Sequence, residues 1–290
     1  MTALIRHVAL VSDTPSISSA QVASVAAAIN KQVVRDFGPL WGVQATVDAF
    51  DSLESVPVDY WPVILRDDIN QPGAAGYHTD ENGQPFALVQ VDDTWSLTSS
   101  HETLEMLADP FGNRTVAGDP PPQAPKPVSD FQRVLYLVET CDPPEDAQYG
   151  YHVNGVLVSD FITPHYYDPS GATGVQFSFR GHIKAPHEVL EAGYVSFGNP
   201  VDNHWYQIVV QNSKVMLRDL GVLKTKGKSL RETIDHHTRV ARSQDAYYKK
   251  ETAKPRVAAA KAGAGASALP LAASSEARAK SLREFAKTLK

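Results

Sequence analysis

Short apolar runs with polar breaks predict a mixed arrangement of strands and helices in the first hundred residues. Runs rich in β-branched residues indicate strands at 5–11, 43–50, 61–65 and 86–91. Between the first two, apolar residues recur at the 3.6-residue period of a helix, from Ser19 to about Arg35. Proline has no N–H to donate to a neighbouring strand. Pro62 therefore predicts either that the third strand lies at a sheet edge or that Pro62 is near the start of the strand.

A hairpin and a second helix follow in the pattern. The sequence Asp80-Glu81-Asn82-Gly83 is typical of a hairpin turn, and 86–91 would be the return strand. Residues 98–108 then read as a helix with hydroxyl residues available for capping, and Asp109-Pro110 should end it. The order β-α-β-β-β-α predicts an α+β fold with helices packed on a mixed sheet.

The second half of the chain changes character twice. The segment 131–139 is apolar enough for a helix or a buried strand, and periodicity does not decide between them. Further strands are expected at 155–158, 176–179 and 205–210. From 243 the composition turns to Ala, Gly, Ser and Lys, which predicts disorder over 243–275, with a short amphipathic helix allowed at 275–289.

Composition excludes several classes of protein. Hydrophobic residues make up 42% of the 290, enough for a packed core, yet they form no run long enough to span a membrane. The first residues lack the pattern of a secretory signal. Cys141 is the only cysteine, so a disulfide framework is excluded and a buried structural thiol is expected. We therefore expect a cytoplasmic protein with no membrane partner.

The net charge of −6 is distributed unevenly. From Lys224 onward there are 16 Lys and Arg against 6 Asp and Glu, which leaves the preceding body strongly acidic. An acidic body is a natural surface for cations. The basic tail could make weak contacts with a polyanion, solubilise the chain or dock on its own acidic body.

One motif on the second predicted helix can carry chemistry. His101-Glu102-Thr103-Leu104-Glu105 has the form HExxE. His101 and Glu105 are four residues apart, so on a helix their side chains leave the same face and can converge on one metal ion. Glu102 is rotated away by one residue, where it could act as the base that takes a proton from an attacking water.

This arrangement resembles the zincin metallopeptidases, whose motif is HExxH. The resemblance implies a zincin-like mixed sheet with helices over 1–145. The strand pattern and the composition predict a β-rich continuation over 146–242 and a flexible basic tail over 243–290. The resemblance also implies Zn²⁺ as cofactor, a peptide or protein substrate, and substrate binding along an edge strand, here expected at 86–91. Glu105 stands in place of the second family histidine. Glutamate is an acceptable zinc ligand. With it, the site could still be a working zinc site, could prefer a harder metal ion than zinc, or could have lost catalysis.

A third protein ligand is required, and the sequence offers several. Asp109 extends the helical series by four more residues. Glu139, with Asp142 three residues on, instead resembles the downstream glutamate of the thermolysin-like branch, in which a later acid orients a ligand histidine. Three histidines complete the candidates: His78, His152 and His165.

The chain contains a second HExxE at 187–191, which follows Pro186 and ends at Gly193. It has no preceding edge strand and no following acid, so we predict that it is structural. No glycine-rich nucleotide loop and no GxSxG is present. The favoured hypothesis is a zinc metallopeptidase, and the alternative is a non-catalytic binding or structural protein with a degenerate zincin-like fold.

Overall fold

The computed structural model describes residues 4–71, 73–169, 171–244 and 279–285. Strands and helices are mixed along the described chain, which confirms the α+β class. The α-helices include α1 (Ser19–Gln32), α2 (Gly38–Trp41), α3 (Trp95–Ala108) and α4 (Leu230–Gln244). The strands are β1 (Ile5–Ser12), β2 (Gln44–Phe50), β3 (Tyr60–Arg66), β4 (Gly76–Glu81), β5 (Gln84–Gln90), β6 (Thr115–Gly118), β7 (Val134–Leu137), β8 (Tyr151–Val153), β9 (Val156–Val158), β10 (Tyr194–Asn199), β11 (His204–Gln211) and β12 (Lys214–Val222).

The first sheet has the strand order β2-β1-β3-β5-β4, parallel except for β4. The predicted hairpin is confirmed, but its return strand β5 pairs with β3 and lies inside the sheet. The expectation of an edge strand at 86–91 is therefore wrong, because the first strand of the hairpin, β4, folds to the outside. The interior strand β3 accepts Pro62 as its third residue, near the strand start.

Both faces of this sheet are covered, and alternate residues along each strand enter different cores. On β1, Val8 and Leu10 pack with the helices α1 and α3, while Ala9 and Val11 face the opposite side. This double burial explains why the strands read as nearly continuous apolar runs.

Helix α3 is buried along most of its length, including its polar residues. It begins three residues before the predicted start, so Ser99 and Ser100 lie inside the helix and do not cap it. Their hydroxyls donate to the carbonyls of Trp95 and Leu97, which satisfies them without water. The helix ends at Asp109, as predicted.

The second sheet is antiparallel, with the order β12-β11-β10-β7-β6. The ambiguous segment 131–139 is a strand, β7, and two strands of this sheet precede residue 145. The strand expected at 176–179 is wrong, since this segment makes only an isolated bridge between Ser178 and Ile162.

A helical segment near the end of the chain, 279–285, packs on the outer face of the first sheet. Leu282 is buried there. The rings of Phe285 and Phe86 pack in a T-shaped arrangement with their centroids 5.8 Å apart. Arg283 pairs with Asp13 at 3.2 Å and also with Glu54. Residues 279–285 of the helix predicted at 275–289 are thus helical and contact the acidic body, and the rest of that segment lies outside the described residues. The disorder predicted for 243–275 lies outside the described residues from 245 onward.

Among the described residues, none of the helices combines the length and the apolar composition that crossing a bilayer requires.

Candidate metal centre

Three elements bring titratable side chains together beneath the first sheet. Helix α3 supplies His101, Glu102 and Glu105, the edge strand β4 supplies His78, and the loop after β7 supplies Asp142. All five are buried, and His101 is the most accessible at 8% exposure. Two sets of three ligand atoms, each within 4.8 Å of one another, form among the described residues, and both contain Glu105.

The first set joins His101, Glu105 and Asp142. His101 Nε2 lies 3.4 Å from Glu105 Oε2 and 3.2 Å from Asp142 Oδ1. Ligand atoms about 2.1 Å from a tetrahedral ion are separated by roughly 3.4 Å, so these atoms lie close enough to hold one metal ion. The predicted convergence of His101 and Glu105 is present, with Asp142 beside them.

The second set joins His78, Glu102 and Glu105. His78 Nδ1 lies 3.5 Å from Glu102 Oε2 and 3.7 Å from Glu105 Oε2. The other ring nitrogen, Nε2, lies 3.1 Å from the backbone carbonyl oxygen of Asp109. Protein carbonyls commonly hold the second nitrogen of a metal-binding histidine in this way.

Four buried atoms of this region have no hydrogen-bond partner among the described residues: His78 Nδ1, Glu102 Oε2, Glu139 Oε1 and Asp142 Oδ1. A buried polar atom without a partner costs about 1–3 kcal/mol, and more when it is charged. Several such atoms in one place are expected where a cation binds, because the cation satisfies them together.

Arg231 of α4 is the one guanidinium in contact with Glu105 among the described residues. It donates to Glu105 Oε2 at 2.9 Å and also to Glu139 Oε2. The backbone N–H of Cys141 donates to the other Glu105 oxygen at 3.0 Å. Glu105 is thus held from two sides and presents Oε2 to the cluster.

The charges alter the titration of the cluster. Burial alone would lower the pKa of His101, but the charges of Glu105 and Asp142 outweigh it and raise that pKa well above its usual value. Burial would raise the pKa of Glu105, yet His101 and Arg231 lower it. Burial and the Glu105 charge raise the pKa of Asp142. A bound cation would relieve the repulsion between Glu105 and Asp142 that raises the pKa of Asp142.

The other predicted ligands belong to neither ligand set. Asp109 accepts a hydrogen bond from the backbone N–H of Arg114 at 2.7 Å and belongs to neither set. Glu139 also belongs to neither and reaches Glu105 only through Arg231. His152 is exposed, and His165 pairs with an exposed Asp168.

Cys141 is fully buried next to the cluster. Burial raises the pKa of its thiol, so the thiol remains protonated, and the expectation of a buried thiol is confirmed.

Arg231 was not a sequence candidate, and His78 was only one of three alternative histidines. The signal for His78 is its place in the alternation of β4, between Tyr77 and Thr79, which directs it to the same side as α3. Arg231 belongs by composition to the basic tail, and no local signal marks it. The chain matches no protein-family model, no curated protein and no solved structure.

Proposed function

We propose that this chain is a metal-dependent hydrolase, most simply a zinc metallopeptidase, in which His101, Glu105 and Asp142 bind the ion. The observation that carries the proposal is the first set of ligand atoms. Asp142 Oδ1 is buried and lies 3.2 Å from His101 Nε2, and both atoms lie within 4.8 Å of a Glu105 oxygen. One imidazole and two carboxylates are ordinary zinc ligands.

A divalent ion held there would polarise a substrate carbonyl and make a water molecule more acidic. Glu102 lies on the same helix, and its Oε2 is buried without a hydrogen-bond partner among the described residues. It can therefore accept the proton of the attacking water and later donate it to the leaving amine. Two carboxylate ligands donate more negative charge than imidazoles, so we expect the water to be less acidic than at a three-histidine site.

The zincin likeness is part of the proposal, and the sheet topology supports it. The antiparallel edge strand β4 packs directly on the motif helix α3. Its outer edge is free of a neighbouring strand within the described chain, so an extended peptide could add there as a further strand. A peptide or protein substrate would then lie close to Glu102.

The test is a pair of matched glutamate variants. Glu102→Gln should lower peptide hydrolysis by about 10²-fold or more, because it removes a general base while His101 still holds its ion. Glu188→Gln, the same change in the second HExxE, should leave hydrolysis unchanged. Zinc content and rates on a mixed peptide library are measured for both. Equal activity of wild type and Glu102→Gln would reject Glu102 as the base.

A non-catalytic scaffold is the second candidate, and the Arg231 contact favours it. Arg231 already gives Glu105 Oε2 a positive partner at 2.9 Å, as a cation would. If the cluster is only a structural ion-pair network, the purified protein contains no metal and added zinc does not raise its melting temperature. Stoichiometric zinc with measurable turnover would exclude this candidate.

A further inference from the structure

The hydrogen bond that His78 makes to a backbone carbonyl defines which of its ring nitrogens carries the proton. Nε2 lies 3.1 Å from the Asp109 carbonyl oxygen, and a carbonyl oxygen can only accept. Nε2 is therefore the protonated nitrogen. In the neutral ring this leaves Nδ1 with a lone pair and no hydrogen.

That lone pair faces two carboxylates. Nδ1 is 3.5 Å from Glu102 Oε2 and 3.7 Å from Glu105 Oε2, too far for hydrogen bonds. His78 is 2% exposed and Glu102 is 3% exposed, and neither Nδ1 nor Glu102 Oε2 has a hydrogen-bond partner among the described residues. Arg231 already donates to Glu105 Oε2, but the lone pair of His78 Nδ1 and the charge of Glu102 Oε2 repel each other in a dry interior unless a cation lies between them.

We propose that a second divalent cation binds to His78 Nδ1, Glu102 Oε2 and Glu105 Oε2. This inference rests on the proposed function in one respect, since Glu105 is shared with the first ion. Glu102 would bind the second ion through Oε2 and could still accept the proton of the attacking water at its other oxygen, Oε1. Two ions each about 2.1 Å from the same oxygen can be at most about 4.2 Å apart, and two-metal hydrolase sites have spacings of about 3.5–4 Å. The Glu105 carboxylate would bridge the pair.

The backbone is built to bring Glu102 to β4. A Cβ on Gly76 would lie 2.8 Å from Glu102 Oε1 and 2.9 Å from its Cγ, so only glycine allows this approach. The charges agree with a second ion. Glu102, Glu105 and Asp142 supply three carboxylates to the two ligand sets and Glu139 adds a fourth beside Arg231, against the guanidinium of Arg231 and the imidazole of His101.

The experiment measures the zinc content of the full-length chain and of three variants, each with one histidine replaced by glutamine. Each protein is stripped with a chelator, loaded with excess Zn²⁺, passed through a desalting column and analysed for metal. We expect about two zinc ions per chain in the wild type and about one in both His78→Gln and His101→Gln. His187→Gln, in the second HExxE, is the control and should retain about two.

A spectroscopic measurement covers the case in which a variant fails to fold. Wild-type protein loaded with Mn²⁺ should show the exchange-coupled electron paramagnetic resonance signal of two neighbouring ions. About one zinc per chain in both wild type and His78→Gln, with an uncoupled manganese signal, would overturn the second site. Two ions without peptide hydrolysis would overturn the proposed activity and leave the second site standing.

Discussion

The two HExxE sequences of this chain have different backbones, and only the first forms a ligand set. At 101–105 the motif lies within α3, so His101 and Glu105 meet at 3.4 Å. At 187–191 the backbone is a turn followed by irregular chain, and His187 has a φ of +60°. Neither His187 nor Glu191 belongs to a metal-ligand set within the described residues. The spacing i,i+4 carries meaning only on a helix.

The carboxylates of the second copy bind backbone N–H groups. Glu188 accepts from the N–H groups of Lys184 and Ala185 at 2.7 and 3.1 Å. Glu191 accepts from two N–H groups in the turn between β11 and β12. These glutamates organise turns, so their hydrogen-bonding capacity is used locally. The structural role predicted for this copy agrees with these contacts.

The largest difference between the copies should appear when the last glutamate is removed. Glu105→Ala leaves Arg231 buried beside fewer charges and opens a cavity, so we expect a loss of about 3–5 kcal/mol in the free energy of unfolding. Glu191→Ala loses two partly exposed hydrogen bonds, at a cost of about 1 kcal/mol. Urea unfolding in the presence of a chelator measures both. Equal losses in unfolding free energy would show that Glu105 stabilises the fold no more than Glu191 does.

The pKa values of His101 and His187, the histidines of the two copies, are shifted in opposite directions, so acid should affect stability differently through each. Burial lowers the pKa of His187 to about 4, below its ordinary 6.5. Between these pH values the unfolded state binds more protons, so stability falls as pH falls from 6.5 to 4 and is unaffected by this group at lower pH. The loss attributable to His187 should reach up to about 3 kcal/mol.

His187→Phe should remove this acid-dependent loss. The phenyl ring can keep the stacking on Tyr136, whose ring centroid lies 4.7 Å away. The difference in unfolding free energy between variant and wild type is measured at pH 7, 5.5 and 4. A difference that does not change with pH would mean that His187 is not held in its neutral form.

The smallest effect should come from the glycine that lets Glu102 approach β4. Gly76→Ala places a methyl group against Glu102 and Thr98, which should cost about 1–3 kcal/mol and displace the carboxylate. Gly171→Ala meets its nearest atom at 3.7 Å and should be neutral. Hydrolysis and melting temperature are compared for the two variants. Full activity in Gly76→Ala would show that the position of Glu102 is not critical.

Sequence patterns predicted most elements of the first sheet but not the neighbours of each strand. Asn82-Gly83 correctly predicted the hairpin. The sheet edge, however, is formed by its first strand, β4, and the apolar second strand, β5, lies inside the sheet. The apolar run in β5 is buried on both faces, which is the pattern of an interior strand.

The sequence by itself determined α3 and the pairing of His101 with Glu105, because helical periodicity depends only on near neighbours. Only the tertiary structure decided which residues join them. Arg231 reaches Glu105 across 126 positions, Asp142 comes from a loop beyond β7, and His78 comes from the edge strand. Contacts of this range depend on how sheets and helices pack, which no local spacing encodes.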